Sequence, residues 1–68
     1  MNDLYYEIGK RIKAERETLG FAQKELADEV RLTRTSIVNI EAGRQRLPIH
    51  VLYAIADALG VSVSCLLP

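Results

Sequence analysis

Sixty-eight residues and 7.6 kDa make one small domain, 49% hydrophobic and 26% charged, which excludes a disordered tail and leaves little room for a deep substrate pocket. Nine basic and nine acidic residues cancel, so no uniform positive surface draws the chain toward nucleic acid or membrane. The lone cysteine, Cys65, excludes an internal disulfide and a cysteine-based zinc site, and a chain this small without a staple is expected to be helical.

The first helix is expected over 3–19. Leu4, Ile8 and Ile12 recur every four residues, with Tyr5 beside them, and mark one face. Asn2 or Asp3 can cap its start. Glu7 with Arg11, Arg11 with Glu15, and Lys13 with Glu17 stand four apart on the wet side. Gly20 is the C-terminal stop, and Phe21 is a core anchor.

A second helix is expected over 23–30, with Leu26, Ala27 and Val30 inward. Arg31 and Leu32 leave space only for a tight turn. Thr33 then offers a hydroxyl cap to a third helix over 34–42, which Gly43 ends. A basic loop over 44–47 follows, and Pro48 suits the first position of a fourth helix over 48–59. Leu52, Ile55, Ala56 and Leu59 keep the helical rhythm there, and Gly60 stops it. Ser62 can cap a last short helix near 63–67. No useful alternation of period two occurs, so the fold class is all-α with five helices. The termini and apolar runs agree with a soluble, cytoplasmic protein. The start has no basic and apolar signal regions, and no run approaches the ~18 apolar residues that span a bilayer.

Zero net charge conceals an uneven distribution. Residues 1–30 hold five bases and seven acids. Residues 31–46 hold Arg31, Arg34, Arg44 and Arg46 against Glu41 alone, and beyond them Asp57 is the single charge. Such polarity steers an anionic partner. At about 100° per residue, Arg34, Thr35, Val38 and Asn39 fall on one face of the third helix, while Ser36, Ile37 and Ile40 fall on the other. A guanidinium, a hydroxyl, an amide and an exposed Val suit a helix that reads the major groove. Arg pairs with guanine O6 and N7, Asn pairs with adenine N6 and N7, and methyl groups pack on thymine. Arg44 and Arg46 lie where a sugar-phosphate strand would run, and the peptide N–H groups near Gln23 can bond a phosphate on the other wall. Taken singly, Arg34 reads as a solvated arginine and Val38 as ordinary surface. The combination of helix, tight turn, polar-faced helix and basic loop is what points to DNA.

Three runs carry a resemblance. They are Gln23-Lys24-Glu25-Leu26-Ala27, the run Thr-Ser-Ile-Val-Asn-Ile-Glu-Ala-Gly-Arg from Thr35 to Arg44, and Pro48 with Ile-Ala-Asp-Ala-Leu-Gly-Val-Ser-Val from Ile55 to Val63. The sequence resembles the phage repressor and Cro family of helix-turn-helix domains, the xenobiotic-response-element family of bacteria, over about residues 8–67. The resemblance implies a five-helix, lambda-repressor-like domain with the helix-turn-helix in helices two and three. It implies a transcriptional regulator, read as a repressor, that binds an inverted-repeat operator as a homodimer. By position, Arg34, Thr35 and Asn39 match base-reading residues, with Val38 between them. Gln23, Thr33, Arg44 and Arg46 match contacts to the DNA backbone. Arg16 and Glu41 match an internal ion pair, which we read as structural. Three places depart from the pattern: Ala22 where a hydroxyl cap is usual, Ile49-His50 after Pro48, and Cys65 in the last helix.

The competing readings are an enzyme and a protein-binding module. His50 and Cys65 are the only residues of their kinds and lie on different expected helices, so no nucleophile–base pair is expected, nor any metal or cofactor. His50 reads as a surface residue and Cys65 as a small buried apolar one. The apolar end, Val63, Leu66, Leu67 and Pro68, either forms a dimer surface or finishes the monomer core. It also gives weight to an antitoxin-like or adaptor protein whose main partner is another protein.

Overall fold

The computed structural model describes residues 3–68, and the alternative cap Asn2 lies outside them. Four α-helices follow one another: α1 (Leu4–Leu19), α2 (Gln23–Glu29), α3 (Arg34–Glu41) and α4 (Ile49–Leu59). Asp3 precedes α1 and serves it through its backbone, its carbonyl accepting from Glu7 N–H at 2.9 Å rather than its carboxylate capping the helix. Thr33 caps α3 as expected, its Oγ1 accepting from Ser36 N–H at 3.0 Å. Pro48 stands one place earlier than expected. With ψ at 156° it is the extended residue before α4, and its carbonyl accepts from Leu52 N–H at 3.1 Å.

The fifth α-helix does not form. Val63–Leu66 is a 3₁₀ helix of four residues. Pro68 disfavours the helical conformation at Leu67, which is extended at φ −101° and ψ 140°, so the turn has nowhere to continue. In a 3₁₀ helix residues three apart share a face. Val63 and Leu66 therefore turn inward, and Leu66 is 0% exposed. This geometry removes Leu66 from any dimer surface and turns Cys65 outward, contrary to the burial expected of it.

One core joins all the elements. Ile8 and Ile12 from α1, Leu26 and Ala27 from α2, Ile37 and Ile40 from α3, and Leu52, Ile55, Ala56 and Leu59 from α4 meet Leu66 there. Phe21, Val30 and Leu32 pack on its edge. The three expected surface pairs on α1 do not close. Lys10 instead approaches Glu7 at 3.8 Å and sits over the Tyr6 ring at 5.3 Å. Exposed pairs gain little from a fixed geometry, so sequence spacing does not decide among them.

The back of α3 rests on α1 at two glycines. Gly9 is buried, and a Cβ there would press into Ile40 O and stand 2.7 Å from Glu41 O. Gly43, just past α3, adopts φ +77°, and a Cβ there would stand 2.7 Å from Tyr6 Cα. A side chain at Gly9 would therefore push α1 off α3. Gly9→Ala is expected to cost about 3 kcal/mol by overpacking, which for a domain of this size lowers Tm by roughly 12–24 °C. Thermal melting followed by circular dichroism measures it, and a change of only a few degrees would contradict the close approach.

Candidate nucleic-acid interface

The two short helices α2 and α3 are joined by a turn that runs through Arg31. Arg31 has φ +59°, the left-handed conformation, without being glycine. Leu32 N–H donates to Ala27 O at 2.9 Å and closes the turn, and its side chain packs at the core edge. The sequence marks a tight turn here, but nothing in the residue type announces this conformation.

Behind α3 lies a polar knot. Arg16 Nε donates to Glu41 Oε2 at 2.6 Å and Nη2 donates to Oε1 at 3.1 Å. Arg16 Nη1 donates to Phe21 O at 2.7 Å. Gln23 Nε2 donates to Glu41 Oε1 at 3.1 Å. Arg16 is 7% exposed and Glu41 6%. The hydrogen bond to Glu41 raises the Arg16 pKa above its ordinary value, burial opposes this, and the charges of Glu41 and Glu17 add to the rise. The knot ties the last residue of α3 to α1 and to the first residue of α2.

Gln23 is therefore a partner in this knot before it can be a phosphate ligand. One N–H of its amide and its carbonyl oxygen remain unengaged among the described residues. The start of α2 carries a second surprise. Ala22 has no capping oxygen, but its N–H donates to Glu25 Oε1 at 2.7 Å, half of a capping box. The signal was in the sequence as a Glu three residues after the cap position. It places a carboxylate where the sequence suggested a phosphate.

The outward face of α3 is as the helical periodicity requires. Arg34 and Thr35 are exposed, while Val38 and Asn39 are half-buried, so Val38 is less open than expected. Ser36 lies at the edge, its hydroxyl 3.1 Å from Thr33 Oγ1. Past the helix, Arg44 N–H and Gln45 N–H both donate to Asn39 O, at 2.9 and 3.3 Å. Arg44 Nε donates to Asn39 Oδ1 at 3.2 Å. The Arg46 guanidinium sits over the Tyr5 ring at 5.6 Å, which fixes the end of the loop on α1. Arg34, Thr35, Val38, Asn39, Arg44 and Arg46 thus belong to one helix and the loop that leaves it.

The other expected site residues divide. Val63 is half-buried against the core, Leu67 and Pro68 are exposed, and Leu66 is interior. His50 is exposed. On α4, Ile49 and Tyr53 are 67% and 57% exposed and lie one turn apart. Ile49 also borders an apolar hollow of about 230 Å³, with Leu4, Tyr5, Ile8, Leu47, Leu52 and Leu67. Among the described residues no helix is long and apolar enough to cross a membrane, and no group of three His, Cys, Asp or Glu could hold a metal ion.

A family model described as helix-turn-helix, HTH_3, matches residues 12–64. The chain belongs to this helix-turn-helix family. The HTH_3 match runs from the middle of α1 into the 3₁₀ helix, so it takes in α2, the turn, α3, the loop after it and the Arg16–Glu41–Gln23 knot. An immunity repressor protein of Bacillus phage phi105 is 37% identical over 59 residues, covering 87% of this chain. The chain spans only 41% of that repressor's length. A hypothetical transcription factor, NHTF, from Neisseria shares the fold with a TM-score of 0.91 and 30% identity, over 97% of this chain and 76% of that one. The fold also occurs as part of an enzyme. Hydroxypropylphosphonic acid epoxidase from S. wedmorenis aligns with a TM-score of 0.92 and 25% identity over the full chain, which corresponds to 36% of the epoxidase.

The knot and the turn each have a measurable weight in stability. Glu41→Ala leaves a buried guanidinium unpaired and is expected to cost about 3–5 kcal/mol. Replacing both partners by apolar residues, Arg16→Met with Glu41→Leu, is expected to cost less than the sum of the single changes; urea denaturation of the four proteins gives the coupling. Because the Arg16 pKa is raised in the fold, its contribution is complete below the ordinary arginine range and is lost only as pH rises through the raised value. No loss from Arg16 is therefore expected between about pH 5 and 8. At the turn, Arg31→Gly relieves the left-handed strain and is expected to stabilise by about 0.5–1 kcal/mol in the same denaturation experiment, net of the added flexibility of the unfolded chain.

Proposed function

We propose that this chain binds double-stranded DNA sequence-specifically and regulates transcription, acting as a repressor. The observation that carries the reading is the outward face of α3. It holds side chains suited to base edges, is flanked by Arg44 and Arg46, and is anchored from behind by the Arg16–Glu41–Gln23 knot. In this reading α3 lies in the major groove. Arg34 pairs with guanine, Thr35 and Val38 offer methyl groups to thymine, and Asn39 presents its amide. Thr33, Arg44 and Arg46 contact phosphates, with Gln23 using the N–H that Glu41 leaves unengaged. The names of the phage immunity repressor and of the Neisseria transcription factor support this assignment.

One recognition helix touches few base pairs, so the chain acts as a symmetric dimer on half-sites about 10 base pairs apart. Val63, Leu67 and Pro68 remain for the dimer contact once Leu66 is assigned to the core. The exposed Ile49 and Tyr53 and the hollow beside Leu67 add apolar surface that a second copy would bury. The same surface favours a second reading, an adaptor bound mainly to another protein. We assign no enzymatic role. His50 and Cys65 sit on separate elements, and Cys65 has only the Ser62 hydroxyl, at 3.5 Å, as a side-chain partner among the described residues.

The test is selection of bound duplexes from a random-sequence pool at low salt and at ~150 mM. An inverted repeat with half-sites about one helical turn apart is expected. Arg34→Ala should cost about 1–3 kcal/mol and relax one position of each half-site. Arg46→Ala should weaken all sequences alike and reduce the salt slope by about one. A pool without an enriched motif, with binding abolished by salt, would overturn the reading in favour of a protein partner.

A further inference from the structure

Arg44 stands in the proposed interface as a phosphate contact, but its own geometry gives it a second task. Its backbone N–H donates to Asn39 O at 2.9 Å, so the residue is held against the last turn of α3. From there its Nε reaches Asn39 Oδ1 at 3.2 Å. A guanidinium has five donors and no acceptor. The Asn39 atom that faces it is therefore the amide oxygen, and the amide nitrogen points away. The two Nη groups of Arg44 make no bond among the described residues and remain for a phosphate.

We infer that Arg44 selects the base that Asn39 reads. An asparagine that pairs with adenine uses both ends of its amide: the oxygen accepts from N6 and the nitrogen donates to N7. In this chain one lone pair of that oxygen is already taken by a cation on the same protein, while both N–H groups of the amide are left for the groove. Base edges without a donor fit it, and in the major groove these are thymine, with O4 alone, and guanine, whose N7 and O6 together give the amide's two N–H groups two acceptors. Asn39 thus favours guanine over the adenine that the residue type alone suggests, and Arg44 is a positioning residue for specificity as well as a charge. The inference rests on the DNA-binding function proposed above.

Pool selection on the full chain tests both and tells them apart. Asn39→Ala identifies the column of the motif that Asn39 reads, as the one that flattens. The wild-type column is expected to favour guanine. Arg44→Met removes the donor and should move that column toward adenine by at least about fivefold, the lower bound for one bidentate contact. Arg46→Met removes a charge of the same kind without touching Asn39, and should lower affinity while leaving the column unchanged. The inference is overturned by a wild-type column that favours any base but guanine, or by an Arg44→Met motif that matches the wild type in every column. A wild-type pool with no motif overturns the DNA-binding proposal itself. Circular dichroism of each variant checks that it is folded.

Discussion

A guanidinium and a carboxylate buried against each other decide where α3 can sit. Glu41 is the last residue of α3, and Arg16 belongs to the last turn of α1. Two hydrogen bonds join them, and a further donor of Arg16 is spent on Phe21 O, in the chain leaving α1. Replacing one partner strands a charge in a dry place, so the arrangement is held by the cost of every alternative as much as by its own attraction. An apolar pair could be as stable, but it would not fix rotation. The fork of Arg16 meets a planar carboxylate in one orientation, and that orientation points Arg34, Thr35 and Asn39 away from the core.

The rest of the support for α3 comes from the same side. Gly9 lets the backbone of α1 touch the carbonyls of Ile40 and Glu41, and Gly43 lets the exit from α3 touch Tyr6. Tyr5 carries Arg46 on its ring. Four positions along α1, Tyr5, Tyr6, Gly9 and Arg16, thus brace α3 and the loop that follows it. The charged outer surface of α1 has no part in this, and the close pair of Glu7 and Lys10 is exposed. The functional value of α1 lies in its rear face.

Much of this was legible in the sequence. The 3.6 period placed the four α-helices within a residue or so, because each has an inward stripe and α1, α3 and α4 also have a stop glycine. The outward face of α3 followed from the same period. The Arg16–Glu41 pair was legible only through resemblance, since nothing in the spacing of residues 25 apart implies contact. The third partner, Gln23, was legible only as a phosphate ligand. The close approach at Gly9 left no trace, because a glycine inside a helix reads as a weak helix former unless its neighbour in space is known. The last helix failed for a local reason. Four residues before Leu67-Pro68 give enough hydrophobic pattern to suggest a helix but too little length for an α-helical turn to propagate. Ala22 lacks the oxygen of a cap, and the side chain that serves that helix start comes from Glu25 instead.

Leu66 fills the core from beyond the end of the last α-helix, and this gives the molecule a direction in time. A ribosome adds about 5–20 residues per second, so α3 is complete roughly 1–5 s before Leu66 is joined to the chain. Helices equilibrate within microseconds. Until Leu66 is joined, the place that it takes in the core has no side chain to fill it. The core therefore cannot reach its final packing before that residue is made, however fast the helices ahead of it form.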